Sequence, residues 1–92
     1  MFAANDLLAV GLLQAFSFGS GIRVPEDIAI ISFDGTVVAD YVWPRLTTAV
    51  QPLEQMAGTA VQSLLDPDAV PHHRSYTSTL RIRESCGCTP DA

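Results

Sequence analysis

Lysine is absent from this sequence, and arginine supplies all five bases: Arg23, Arg45, Arg74, Arg81 and Arg83. They are scattered, and ten acids outnumber them to give a net charge of −5. Holding DNA or RNA requires clustered positive charge that displaces counterions, so this chain is not expected to grip nucleic acid itself. Cysteine is scarce too. Cys86 and Cys88 sit one residue apart near the C-terminus, where a bridge between them closes no useful loop and supplies no disulfide framework. No apolar run approaches the roughly 20 residues that cross a bilayer, so no partner membrane is expected. The start, Met1-Phe2-Ala3-Ala4-Asn5-Asp6, has no basic region and meets an acid at once, unlike a secretory signal. With no mark of export, the expected location is cytoplasmic. Internal repeats and low-complexity tracts are lacking as well.

What is present is apolar. Hydrophobic residues make up 48% of the 92 and charged residues 16%, a balance that argues against intrinsic disorder. A chain this short buries only roughly 60–65% of its unfolded surface, enough for one modest core.

The elements alternate in type. Residues 1–4 read as the end of a strand. Asn5 or Asp6 is a natural N-cap for a helix over Leu7, Leu8, Val10, Leu12, Leu13, Ala15 and Phe16, with Gly19 and Gly21 as stops. That helix is apolar nearly all round and wants cover on more than one side. Ile28–Phe33 reads as a buried parallel strand ending at the Asp34-Gly35 turn. Val37–Trp43 is a short helix or an irregular apolar segment stopped by Pro44, and Thr47–Val50 is a strand. Pro52 opens an amphipathic helix as its first residue. Leu53, Met56, Ala57, Ala60, Val61, Leu64 and Leu65 form the stripe, and Asp66-Pro67-Asp68 ends it. Residues 76–83 alternate as a half-exposed final strand. This order predicts an α/β fold with a mostly parallel sheet flanked by helices.

In open α/β sheets, ligands sit beyond the carboxyl ends of the strands. Asn5 and Asp34 fall at such ends, and Gln51 can reach the same place. A carboxylate that accepts two hydroxyl hydrogen bonds, beside amides that donate and accept, suits a polyhydroxylated ligand. A helix cap, a turn acid and a solvated helix start explain the same three residues with no ligand. Tyr41 and Trp43 suit a sugar face, a subunit contact or the core. Asp6 and Asp34 are the one pair of acids with a prospect of proximity. Gly19-Ser20-Gly21 is not a phosphate loop, because Val24 stands where a third Gly belongs and the run follows a helix. No G-x-S-x-G elbow surrounds a serine. His72 and His73 with Cys86 and Cys88 match no structural zinc spacing. The expectation is therefore no enzyme, no cofactor and no metal.

Four blocks then carry a resemblance. They are Phe2-Ala3-Ala4-Asn5-Asp6-Leu7-Leu8-Ala9-Val10-Gly11, residues 21–34 (GIRVPEDIAIISFD), Pro44-Arg45-Leu46-Thr47-Thr48-Ala49-Val50-Gln51-Pro52, and Arg83-Glu84-Ser85-Cys86-Gly87. In this order and spacing the chain resembles the C-terminal part of LacI/GalR-family transcriptional regulators over nearly all its length. The resemblance implies a partial periplasmic-binding-protein-like type I lobe. Residues 1–85 would be part of the C-terminal subdomain of an effector-binding domain, and residues 86–92 a flexible tail. It also implies a sugar or related effector (purines in some members) held by Asn5, Asp34, Gln51 and Leu53. The implied dimer interface contains Leu8, Val10, Leu12, Tyr41, Val42 and Trp43, which makes a homo-oligomer the expected assembly. Two departures bear on the pocket: Gly35 replaces a second acid found in many members, and Leu53 is aliphatic where some carry a ring.

Measured against that resemblance, these 92 residues are expected to hold no helix-turn-helix, hinge helix, N-terminal subdomain or first half of the C-terminal subdomain, and Met1 would fall inside an expected strand. A truncated gene, a misplaced start or an excised fragment is the expected reason. Such a fragment would bind effector weakly. The alternative is a stand-alone interaction module, or dominant-negative partner, that pairs through helix 5–18 and binds no ligand. The sharing of its fold with periplasmic sugar-binding proteins leaves the regulator favoured, given the absent signal peptide and the wording of residues 23–34.

Overall fold

A computed structural model describes residues 1–69, 71 and 73–88. Helix α1 spans Asp6–Ser17, strand β1 Ile31–Asp34, the one-turn helix α2 Val38–Tyr41, strand β2 Thr47–Val50, helix α3 Leu53–Leu65 and strand β3 Thr79–Arg81. Short 3-10 turns cover Pro67–Ala69 and Glu84–Cys86.

The sheet has the order β1-β2-β3. β1 and β2 run parallel, Ile31 opposite Thr47 and Asp34 opposite Val50. β3 joins antiparallel, with Thr48 facing Arg81. On the other edge of β1, Phe2 forms a parallel bridge with Ile31, so the first residues act as the end of a strand, as expected. The parallel part is thus Phe2, β1 and β2, and β3 makes the sheet mixed.

Three boundaries differ from expectation. β1 begins at Ile31, not Ile28. Residues 23–28 are held in a turn in which the Arg23 carbonyl accepts from the backbone N–H of both Asp27 and Ile28. The Ile30 N–H then goes to the Ser85 carbonyl and not to a strand. β3 keeps only Thr79–Arg81 of the predicted 76–83. Pairing past Thr79 would continue onto Gln51 and Pro52, but the Gln51 N–H is spent on the Asp34 carbonyl and proline has no N–H. At the other end, the Arg83 N–H leaves the ladder for the Thr47 hydroxyl at 2.8 Å. Pro52 is the N-cap of α3 and Leu53 its first residue, one position after the predicted start.

The core is small: Ala3, Ala9, Leu13, Ile30, Ala39 and Leu46, with Val10, Leu12, Phe16, Val24 and Val42 packed around it. α1 covers one side of it with Ala9 and Leu13. Ser85 closes it from the C-terminal end. Its N–H donates to Arg45, its carbonyl accepts from Ile30, and its hydroxyl donates to the Ile30 carbonyl at 2.6 Å while accepting from the Thr47 N–H at 2.8 Å. α3 contributes nothing to the core, since none of its residues is buried.

Candidate functional site

The strand register brings the predicted polar residues to one edge. Phe2 pairs with Ile31, which pairs with Thr47. Three residues further along each parallel segment come Asn5, Asp34 and Val50, with Gln51 next. All lie at the carboxyl ends, where an open α/β sheet receives ligands.

Asp34 and Gln51 meet directly. The Gln51 side-chain amide donates to Asp34 Oδ1 at 2.6 Å, and the Gln51 backbone N–H donates to the Asp34 carbonyl at 3.2 Å. Asp34 has φ 131, the one non-glycine residue with positive φ among those described. A carboxylate residue held in that region costs on the order of 1–3 kcal/mol and persists only where the surroundings impose it. The surroundings here are close: a Cβ on the next residue, Gly35, would lie 2.7 Å from Val50 Cγ2 and 2.8 Å from Val50 Cα. Gly35 at φ 75 therefore keeps its place by backbone need. A second acid there would have to push β2 away.

Asn5 performs the cap of the bland reading. Its Oδ1 accepts from the Leu8 N–H at 2.8 Å. Among the described residues its side-chain NH2 donates to no partner, so the amide retains its donors. Leu53 is the first residue of α3 and is exposed, at the rim of this edge and outside the core.

Asp6 was legible only as an alternative cap, and its actual role is larger. The carboxylate is buried. Oδ1 accepts from the hydroxyls of Ser32 at 2.7 Å and Thr48 at 3.0 Å. Oδ2 accepts from the Thr36 N–H at 2.7 Å and its hydroxyl at 2.6 Å. Burial opposes the charge, but these bonds from Ser32, Thr36 and Thr48 outweigh it and lower the Asp6 pKa. Both oxygens are consumed, so Asp6 and Asp34 do not form an acid/base pair. Asp6 fixes α1 to β1, β2 and the turn after β1. Its partners lie 26–42 residues away in sequence, beyond the reach of any local motif.

Several large apolar side chains are exposed. Tyr41 is 81% and Trp43 77% exposed, and Leu8 55%; the core role weighed for the two aromatics does not hold. Val10, Leu12 and Val42 are half-buried against the core. A shallow hollow of about 220 Å³ between α1 and the segment after α2 is lined by Val10, Leu13, Gln14, Ser17, Val42 and Trp43. Among the described residues no three His, Cys, Asp or Glu side chains group as a metal site. His72 lies outside the described residues, as do 89–92 of the predicted tail, whereas residues 86–88 are placed. No helix of the described chain is long and apolar enough to cross a membrane.

The sequence profile of the periplasmic binding protein-like domain matches residues 1–86. The chain belongs to this family. Within it, the chain resembles LacI/GalR-type regulators. It is 41% identical to the HTH-type transcriptional repressor MelR of Bacillus subtilis, an alignment covering 96% of this chain and 26% of the relative. It is 40% identical to the HTH-type transcriptional regulator GalR of Streptococcus thermophilus, covering 91% and 26%. Among solved structures, a LacI family regulator from Arthrobacter sp. FB24 in complex with lactose superposes with TM-score 0.77 at 38% identity, over 92% of this chain and 34% of that one. One from Lactobacillus casei with bound glucose gives 0.76 at 31%, over 91% and 30%. The chain therefore spans about a quarter of the length of the curated relatives it matches. The expected α/β, periplasmic-binding-protein-like architecture is the observed one, and the named relatives are regulators of transcription, not enzymes.

Proposed function

We propose that this chain is the effector-binding and dimerisation portion of a LacI/GalR-type transcriptional regulator, and that Asn5, Asp34, Gln51 and Leu53 line its effector site. The single observation that carries this reading is Asp34: a backbone held at φ 131 to aim a carboxylate at an amide on the ligand-receiving edge of the sheet. Strain of this kind collects at ligand clamps. The effector class is a sugar or a related polyhydroxylated molecule, in keeping with the lactose and glucose carried by the two neighbouring structures.

Residues 1–85 act as part of one lobe. In a two-lobed binding protein the ligand is clamped from both sides and biases the whole molecule between two states. One lobe grips from one side, so affinity is millimolar or weaker, on the order of −4 kcal/mol. The acidic chain makes no direct contact with DNA, needs no cofactor, catalyses no reaction and works in the cytoplasm. Two copies pair through Leu8, Val10, Leu12, Tyr41, Val42 and Trp43.

Titration of the 92-residue chain with lactose and with glucose, followed by amide chemical shifts, tests the site. Saturable shifts at Asn5, Asp34 and Gln51 that vanish in Asp34→Ala are expected. Shifts confined to other residues, or unchanged in that variant, defeat the assignment. The second reading, an interaction module without a ligand, draws on the Asn5 cap and on the exposed Leu8, Tyr41 and Trp43. It predicts self-association with no sugar response at all.

A further inference from the structure

Cys86 and Cys88 take no part in the site above, yet the fold turns Cys88 back onto Cys86. The Glu84–Cys86 turn is anchored on both sides. Arg45 holds Glu84 with two bonds, Nε to Oε1 at 2.6 Å and Nη2 to Oε2 at 2.9 Å, and Ser85 is locked in the core by four hydrogen bonds. Gly87 then turns the chain at φ 72 in the left-handed region, its N–H returned to the Glu84 carbonyl. This turn folds Cys88 back over Cys86. The Cys88 N–H donates to Cys86 Sγ at 3.3 Å, and the Cys88 thiol lies 3.8 Å from the Cys86 carbonyl. Cys88 is exposed and Cys86 half-buried.

We propose that Cys86 and Cys88 form a redox-active Cys-x-Cys dithiol that hydrogen peroxide converts to an intrachain disulfide, which thiols reopen. Two peptide units span at most about 7 Å when extended. The turn at Gly87 shortens that, into the usual Cα–Cα range of about 4.4–6.8 Å for a disulfide. Cys86 is the attacking sulfur. Burial works against its ionisation, but hydrogen bonds from the Cys88 and Thr47 side chains and the backbone outweigh burial and lower its pKa, while the bond to Cys86 raises that of Cys88.

The steps balance. The Cys86 thiolate attacks one peroxide oxygen, the O–O bond breaks, and hydroxide leaves and takes a proton to become water. This gives a sulfenic acid on Cys86. The Cys88 sulfur then attacks Cys86 Sγ, the S–O bond breaks, and a second water leaves. Two thiols and one peroxide yield one disulfide and two waters. A ring closed over a single intervening residue is easily reopened by thiols, which suits a reversible mark.

The test is intact mass and non-reducing electrophoresis of the 92-residue chain after hydrogen peroxide treatment at neutral pH. The expected product is a monomer lighter by two hydrogens, with both thiols lost together and a Cys86–Cys88 link in the peptide map. It should form about tenfold faster in the folded chain than in urea, because the fold pre-orients the pair. Cys88→Ser should stop at a sulfenic acid on Cys86 that dimedone traps, and Cys86→Ser should react slowly. Interchain dimers, independent oxidation of the two cysteines, or equal rates with and without urea would overturn the proposal. The wild-type comparison in urea decides the matter even where a serine variant misfolds.

Discussion

The carboxyl edge of the sheet and helix α3 are adjacent in sequence and opposite in character. At the edge, Asp6 gathers Ser32, Thr36 and Thr48, and Asp34 holds Gln51. Both of these carboxylates take their partners from other segments of the chain. α3 begins two residues later, carries the clearest amphipathic pattern in the chain, and buries none of it. Leu64 is 83% and Leu65 82% exposed. A helical stripe is a request for a partner surface, and periodicity alone does not provide the surface. Long-range polar pairing at the edge is satisfied within these residues; the apolar face of α3 is not.

Disrupting the edge should have the largest effect. Asp6→Ala strips the acceptors from the Ser32, Thr36 and Thr48 donors, and an unmet buried donor costs about 1–3 kcal/mol. A loss of about 4 kcal/mol in urea denaturation is expected, given that these bonds act as a network. If Asp6→Ala unfolds no earlier than the parent, the edge is not what holds α1 to the sheet. Leu46→Ala, in the apolar core, should cost about 3 kcal/mol by leaving a cavity.

Acid probes the same carboxylate without mutation. The folded-state pKa of Asp6 lies below its ordinary value of 3.8. The unfolded chain therefore binds the proton first, and the stabilisation is fully present above that ordinary value. It drains away as pH falls through the folded-state value. Urea midpoints recorded down this range should fall for the parent and fall less for Asp6→Asn.

Asp34→Gly tests the junction between the two regions. It relieves the positive φ and deletes the carboxylate, so a gain of about 1 kcal/mol in stability should accompany loss of any sugar response. A variant that is destabilised instead would mean that the bond to Gln51 outweighs the strain. The smallest change is expected on α3, where Leu64→Ala should move the folding free energy by less than about 0.5 kcal/mol. A larger loss would reveal a buried partner for that helix and erase the contrast.

What could be read from the sequence was what neighbours decide. Asn5-Asp6 before an apolar run fixed the start of α1, and Asn5 is its cap. The β-branched run Thr47–Val50 matches β2 at both ends. The meeting of Asp34 and Gln51 followed from strand ends. The burial of Asp6 and the strain at Asp34 did not, because both depend on β1 and β2 lying side by side. The shortening of β3 also escaped, since alternation over 76–83 says nothing about where Gln51 and Pro52 stop offering partners. Tyr41 and Trp43 were left open between core and surface, and only their exposure decided between them.

Ser85 bears on the order in which the chain is made. Its hydroxyl reaches the Ile30 carbonyl, 55 positions earlier, and meets the Thr47 N–H, 38 positions earlier. While a ribosome is still adding residues 48–84, Ile30 and Thr47 have no such partner, and the middle of the core stands open. Such distant pairings are slow to close and leave nascent segments exposed in the meantime. Ser85 is thus what completes the interior, and a chain released before Ser85 has emerged is left without its closing bonds.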